Sequence, residues 1–311
     1  MHRFASIDLG TNTCNLLLAG YEHGELMVQA SEKRAIKLLR NSPAQGLISD
    51  EGIALCIDAV MEYKNLILKY EPDVILANAT SGVRSASNGL ELLDKIERNS
   101  GIHFTTISGT EEANLIFKAV KRAVNIENTD ALLVDIGGGS IEFIVYYNNA
   151  AAWKQSFDIG ISRVLNTFRF NDPLINNDMG RISQYFDTQL TDLYHILEQH
   201  NVKTIIGSSG TFETLSNILM HAGKSVESPL NTYRSIEIGD FKKVYYEIIN
   251  SDFDKRMAIK GMEPMRVELI PLASWFVNYL VDKYGIELII HSRYSLKEGA
   301  IFAFIEKNNL K

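Results

Sequence analysis

Cysteine is nearly absent from this chain, with two residues, Cys14 and Cys56, among 311. So few exclude a disulfide framework and point to a reducing compartment. Proline and glycine are also sparse, at 6 and 21, and no low-complexity tract occurs, so nothing reads as disordered. No apolar run approaches membrane-spanning length, and MHRFASIDLG enters a strand with no signal-type apolar segment before it. A soluble, cytoplasmic protein with no membrane partner is expected. An excess of positive charge is missing too: the net charge is −7, which argues against a broad nucleic-acid surface. A polyanionic ligand stays open, because a metal ion and backbone N–H groups reverse the field locally.

Apolar residues, by contrast, are plentiful. At 46% of the chain they suffice for two cores, and the length suits two domains.

The chain writes one motif twice. DLGTNTCN at 8–15 and DIGGGSIE at 135–142 superpose Asp8 on Asp135, Gly10 on Gly137, Thr13 on Ser140 and Asn15 on Glu142. An apolar run follows each, LLLAGY and FIVYYN. Such self-similarity marks an internal duplication. In a Rossmann or Walker loop the glycines lead from a strand into a helix, whereas here β-formers stand on both sides. Each element is therefore a hairpin with a tight Gly/Ser/Thr turn.

After each hairpin the pattern repeats as third strand, helix, strand, helix. In the first half these are ELMVQAS, a helix capped near Ser49 and closed at Glu71-Pro72, VILANAT, the turn TSGVRSASN, GLELLDKIERN, HFTTIS, and the turn GTEEA opening NLIFKAVKRAV. In the second they are AAAWKQSFDIG, helical RISQYFDTQLTDLYHIL, KTIIG, TFETLSNILMH, FKKVYYEIIN, PLASWFVNYLVDKYG, ELIIHS and SLKEGAIFAFIEKN. The polar segment NIENTD, 125–130, is the expected boundary. The reading is a duplicated βββαβα unit: a domain over 1–124, another over 125–296, and a C-terminal helix, 297–311, packing back on the first.

Gly/Ser/Thr turns present backbone N–H groups pointing one way, with no Cβ to block approach, and such nests bind phosphate. Four occur: Gly10, Thr11, Asn12 and Thr13; Ser81-Gly82; Gly137, Gly138, Gly139 and Ser140; and Gly207 with Ser208, Ser209, Gly210 and Thr211, the last ahead of a helix N-terminus. If the halves face each other, the two hairpin turns bring their aspartates to one cleft. Asp8, Asp135 and Glu142 are the nearest carboxylates, about the supply a magnesium ion bridging phosphates needs. An Asp capping its own turn is the alternative for Asp8 and Asp135; Glu142 has little structural reason to be charged. Glu111 and Glu112 either complement the dipole of the helix they open or do chemistry. Arg84 is either a surface cation or a bidentate phosphate ligand.

The set DLGTNT, TSGVR, SGTEEA, DIGGGSIE and GSSGT, in that order over essentially the whole chain, resembles the exopolyphosphatase and guanosine pentaphosphate phosphatase (Ppx/GppA) family. The resemblance implies an α/β, duplicated actin-like ATPase (ribonuclease H-like) fold, two lobes each with a mixed five-stranded sheet flanked by helices, and an active-site cleft between them. It implies hydrolysis of a terminal phosphoanhydride with magnesium required, manganese being an alternative. Glu112 looks like the catalytic base and Arg84 like the phosphate-binding arginine. Asp135 and Glu142 resemble the carboxylates organising metal and water, Asp8 joins them as a metal ligand, and 137–140 resembles the phosphate loop. Lys37, in AIKLL, sits where members carry a basic residue near substrate, and Lys33, Arg34 and Lys37 are expected to line the substrate groove. Lys297 in SLKEGA and RVE at 266–268 depart from the pattern, and the chain looks like a short, two-domain member.

Phosphoryl transfer asks chiefly for positioning and charge neutralisation. The reading is that Glu112 orients and deprotonates a water in line with the terminal bond of inorganic polyphosphate. Open alternatives are guanosine pentaphosphate as substrate, a kinase of the same superfamily, and a polyphosphate or guanosine tetraphosphate sensor without turnover. A homodimer is suggested by the resemblance alone, and no nucleic-acid partner is expected.

Overall fold

Residues 1–39, 46–124, 130–224, 226–228 and 230–310 are described by a computed structural model. They form two compact units, one of Met1–Ala119 with Leu296–Lys311 and one of Val120–Ser295. Residues 125–129 of the expected boundary segment lie outside the described residues.

The first unit is built on a five-stranded sheet. Strands β1 (His2–Leu9), β2 (Thr13–Glu22) and β3 (Glu25–Ala35) form an antiparallel meander. Beyond β1, strands β4 (Val74–Ala79) and β5 (Thr105–Thr106) add in parallel, giving the order β3-β2-β1-β4-β5. Helices α1 (Asp50–Tyr70), α2 (Ser81–Arg84), α3 (Gly89–Ser100) and α4 (Gly109–Ala123) come from the same half of the sequence. The last helix, α12 (Leu296–Lys307), returns to this sheet, with Phe304 edge-on to Phe4 of β1 at 5.8 Å.

Local chemistry explains these boundaries. Ser49 Oγ accepts the Gly52 N–H at 3.1 Å and so caps α1, with Asp50 and Glu51 complementing the dipole in its first turn. Glu71 adopts φ 52°, and its N–H donates to Ile67 O at 2.9 Å, closing the helix before Pro72. Ile53, Cys56, Val60, Tyr63 and Ile67 face a core with Ile7, Leu9, Cys14 and Leu16. Both cysteines are free and buried there, and burial pushes the Cys56 thiol up to about 12.

The second unit carries seven strands. Strands β6 (Ala131–Ile136), β7 (Ile141–Tyr147) and β8 (Ala150–Phe157) repeat the meander, and β9 (Thr204–Ser208) and β12 (Leu288–Ser292) add in parallel beyond β6. These five repeat the order of the first sheet. Two more, β11 (Tyr233–Glu237) and β10 (Val226–Glu227), extend it antiparallel past β12. The five-stranded expectation falls short here because β11 hides its strand character. Its buried positions are Arg234 and Ile236, and Arg234 is accommodated by Glu227 Oε1, at 2.9 and 2.6 Å, and Asn217 Oδ1, at 3.0 Å. Strand β6, buried at every position, is the apolar run expected of a central strand.

Helices α5 (Ile161–Thr167), α6 (Asn176–Gln189), α7 (Thr191–Leu197), α8 (Ser209–His221), α9 (Ile238–Ile249), α10 (Phe253–Met257) and α11 (Ile270–Tyr284) complete this unit. Phe186, Phe212, Phe241 and Phe276 are fully buried in its core, which also holds Trp275. The sequence reading runs α6 and α7 together; the chain breaks them at Leu190. It also reads TSGVR as a turn, which is the single helical turn α2, and HFTTIS as a strand, of which only Thr105 and Thr106 pair, with Asn78 and Ala79. Among the described residues no helix is long and apolar enough to cross a membrane.

Candidate active site

In the first unit the β1–β2 turn is closed by Gly10 N–H donating to Thr13 O at 2.9 Å. Its outer carbonyls are held by the segment leaving β3: Leu38 N–H donates to Thr11 O at 2.8 Å, and Ile36 and Lys37 N–H donate to Asn12 O at 2.8 and 3.2 Å. Lys37 lies at φ 42°, a left-handed conformation that Asn12 O stabilises. The start of α2 packs on the same turn. A Cβ at Gly82 would fall 2.8 Å from Thr11 Cα, so only glycine permits this approach.

Ser81 is buried at the first position of α2, and Arg84 closes it. Arg84 Nη1 donates to Ile107 O at 2.9 Å and to Glu112 Oε2 at 3.0 Å. The two glutamates opening α4 part company here: Glu112 is 8% exposed and paired to Arg84, whereas Glu111 is exposed. Ser108 caps this end, its Oγ accepting Glu111 N–H at 3.1 Å and its carbonyl accepting Glu112 N–H at 2.9 Å. The contact sets a half-buried guanidinium against a buried carboxylate in a charge-assisted hydrogen bond.

In the second unit Gly137 N–H donates to Ser140 O at 3.0 Å, the same closure as at Gly10. Asp135 and Glu142 are opposed across β6 and β7, so both side chains lie on one sheet face. They are 5% and 1% exposed. Serine hydroxyls donate to both: Asp135 Oδ2 accepts from Ser208 and Ser209 Oγ, each at 2.7 Å, and Glu142 Oε1 accepts from Ser140 and Ser156 Oγ, each at 2.7 Å. Ser209 turns at φ 65° into α8, and Gly210 and Thr211 follow buried in its first turn.

The strand registers line these groups up. Ser156, Glu142, Asp135 and Ser208 form one cross-strand row in the second unit, and Lys33, Asn15, Asp8 and Asn78 form its counterpart in the first. In the first row Asn15 Nδ2 donates to Asp8 Oδ2 at 3.1 Å. Lys33 thus shares a face with Asp8, while Arg34, its strand neighbour, points to the other face and pairs with Glu62 of α1. The candidate groove cations therefore do not share one face of β3.

Arg266 enters the sequence reading only as part of the RVE segment. Its guanidinium occupies the space that a side chain at 210 would need, and its Nε is buried without a hydrogen-bond partner. Burial pushes its pKa down, opposed by Glu263, Glu213 and Asp135. The sequence reading also leaves out Gly160, Arg163 and Ser156, which back the second loop or serve Glu142.

Among the described residues no group of three or more His, Cys, Asp or Glu side chains is placed to hold a metal by itself. Magnesium rarely requires one: it keeps several waters and takes one or two carboxylates plus substrate phosphates. The hard oxygen donors of Asp135 and Glu142, adjacent on one face beside the 137–140 turn, fit that habit.

Two mixed sheets of this order, each opened by a Gly-turn hairpin, define a protein of the actin-like ATPase fold. The model of the Ppx/GppA phosphatase family matches residues 19–308, and the chain belongs to that family. It is similar to the solved structure of an exopolyphosphatase from Cytophaga hutchinsonii, with 31% identity, 98% of each chain covered and a TM-score of 0.93. Among curated relatives it is 28% identical to a bifunctional 3-dehydroquinate synthase/phosphatase of Fusobacterium nucleatum, covering 97% of this chain and 46% of that protein. It is 23% identical to exopolyphosphatase 1 of Mycobacterium leprae, covering 96% of this chain and 88% of that one. It is 24% identical to a guanosine-5'-triphosphate,3'-diphosphate pyrophosphatase of Aeromonas hydrophila, covering 98% and 60%. The chain thus spans about half the length of the first of these and most of the second.

Proposed function

We propose that this protein hydrolyses the terminal phosphoanhydride of inorganic polyphosphate and releases orthophosphate. The observation that carries the reading is the buried pair Asp135 and Glu142, opposed across one hairpin beside a turn rich in outward N–H groups and hydrogen-bonded by serine hydroxyls. Two carboxylates on one sheet face beside such a turn are hard oxygen donors of the kind magnesium takes together with substrate phosphates.

In this reading Asp135 and Glu142 would hold magnesium, which would neutralise charge on the phosphate oxygens; Asp8, in the first unit, is a separate candidate carboxylate. Each unit brings candidate phosphate donors of its own, Gly10 to Thr13 and Ser81 in the first and Gly137 to Ser140 and Ser208 to Thr211 in the second, through N–H and hydroxyl groups. Glu112 accepts the proton of the attacking water. Arg84, which holds Glu112 at 3.0 Å, turns its remaining donors toward the terminal phosphate as negative charge develops there. Lys33 and Lys37 attract the trailing chain. The exopolyphosphatase names of two relatives, one a structure at 31% identity, favour polyphosphate as substrate. The Aeromonas relative's name makes guanosine pentaphosphate the second reading.

The test is orthophosphate release in magnesium buffer from long polyphosphate, tripolyphosphate, guanosine pentaphosphate and ATP in parallel. Steady release from polyphosphate supports the proposal, and Glu112→Gln should then lower kcat by about 10²–10⁴. Arg84→Ala should lower kcat and raise KM together. Release from the guanosine nucleotide alone would move the substrate to the second reading, and silence on all four would refute hydrolysis.

A further inference from the structure

The carbonyls of Gly137, Gly138 and Gly139 are all engaged by residues 160–163. Ile161 N–H donates to Gly137 O at 3.0 Å, Arg163 N–H to Gly138 O at 3.1 Å, and Gly160 N–H to Gly139 O at 3.2 Å. Arg163 Nε adds a second donor to Gly139 O, at 3.1 Å. The approach is so close that a Cβ at Gly160 would fall 2.4 Å from Gly138 C and Gly139 N.

In a trans peptide the C=O and the following N–H point in opposite directions. Fixing the carbonyls of 137, 138 and 139 toward the β8–α5 segment therefore turns the N–H groups of Gly138, Gly139 and Ser140 away from it. Those three N–H groups have no acceptor among the described residues. Three successive donors aimed together form an anion-binding nest.

We infer that Arg163 is a positioning residue for phosphate binding: it locks the Gly139–Ser140 peptide so that the nest is formed before substrate arrives. That peptide is the critical one. Ser140 also donates its hydroxyl to Glu142 at 2.7 Å, so tilting it moves a phosphate donor and a carboxylate partner together. Asp158 braces the guanidinium from 3.7 Å. The first loop is backed by the backbone N–H groups of Ile36, Lys37 and Leu38.

The inference rests on the reading of 137–140 as a phosphate loop, and the experiment separates the two. Arg163→Met keeps the aliphatic stem without a donor; Arg163→Gln puts an uncharged N–H donor at the same distance along the side chain as Nε. Affinity for magnesium tripolyphosphate is measured by calorimetry alongside kcat, KM and thermal unfolding for both variants and the parent. The expected result is a rise of about three- to tenfold in Kd and KM for Arg163→Met, the worth of one hydrogen bond. Its kcat should change less than threefold, and Arg163→Gln should restore Kd to within about twofold of the parent. Equal loss in both variants would show that charge, not the Nε bond, matters and would overturn the inference, as would parental affinity in Arg163→Met. Should Arg163→Met fail to fold, Arg163→Gln decides alone, parental affinity supporting the lock and lost affinity overturning it. A parent that binds but does not turn over would sink the hydrolytic proposal while leaving this one to the binding data. A parent that does not bind would overturn both.

Discussion

The two hairpins share backbone and register yet differ in charge. In the first, Asp8 faces Asn15, with Lys33 at one end of the row and Asn78 at the other. In the second, Asp135 faces Glu142, with serines at both ends. One row carries its own amides and cation; the other concentrates two acids among hydroxyls. The duplication has thus kept the cradle and changed its charge: in the proposed reading the second hairpin supplies two of the candidate metal carboxylates, whereas the first supplies one, beside an amide and a cation.

The sharpest way to break that contrast is to exchange the opposed residues. Glu142→Gln should lower kcat on the order of 10²-fold or more, as removal of a preorganised charge stabiliser does, while Asn15→Ala should lose less than tenfold. Equal losses, read from initial rates of orthophosphate release, would erase the asymmetry. Next in size is Ser156→Ala, which deletes a hydroxyl that orients Glu142. Outer partners of this kind are worth about 10–100-fold in metal affinity, so the magnesium concentration giving half-maximal rate should rise by that factor, with little change at saturating magnesium.

A stability comparison comes third. Each loop is approached by a glycine whose added Cβ would meet backbone, Gly82 at 2.8 Å and Gly160 at 2.4 Å. Overpacking there costs about 1–3 kcal/mol, so alanine at either site should lower the thermal midpoint. An unchanged midpoint for one alone would show that the two loops are not equally confined. The smallest effect is expected at Lys33→Met. A partly solvated cation is worth under about 1 kcal/mol, so KM should rise only a few-fold and the rise should fade as salt is added.

Much of this was legible in the sequence because it is written in local pattern. The doubled turn showed the duplication, and the strand pairing puts Asp8 opposite Asn15 and Asp135 opposite Glu142 as the superposed motifs imply. Ser49 and Glu71 bound α1 where capping chemistry placed them. The rest depends on distant partners. Strand β11 was missed because Arg234 sits at a buried position only by virtue of Glu227 and Asn217. Glu111 and Glu112 are alike by periodicity, and only the packing of α4 beside Arg84 separates an exposed carboxylate from a buried one. Gly160 and Arg163 lie more than 20 residues from the loop they back, and no spacing rule joins them to it. Lys33 and Arg34 looked like one basic cluster, which the two-residue period of a strand splits between faces.

In the proposed reaction, water activated by Glu112 attacks the terminal phosphorus. The most direct test of this step is hydrolysis of tripolyphosphate in oxygen-18 water, followed by phosphorus-31 NMR of the products. Expected are one oxygen-18 per released orthophosphate, none in the pyrophosphate, and the same pattern at a much lower rate in Glu112→Gln. Label in the pyrophosphate, or an unchanged rate in that variant, would contradict that step.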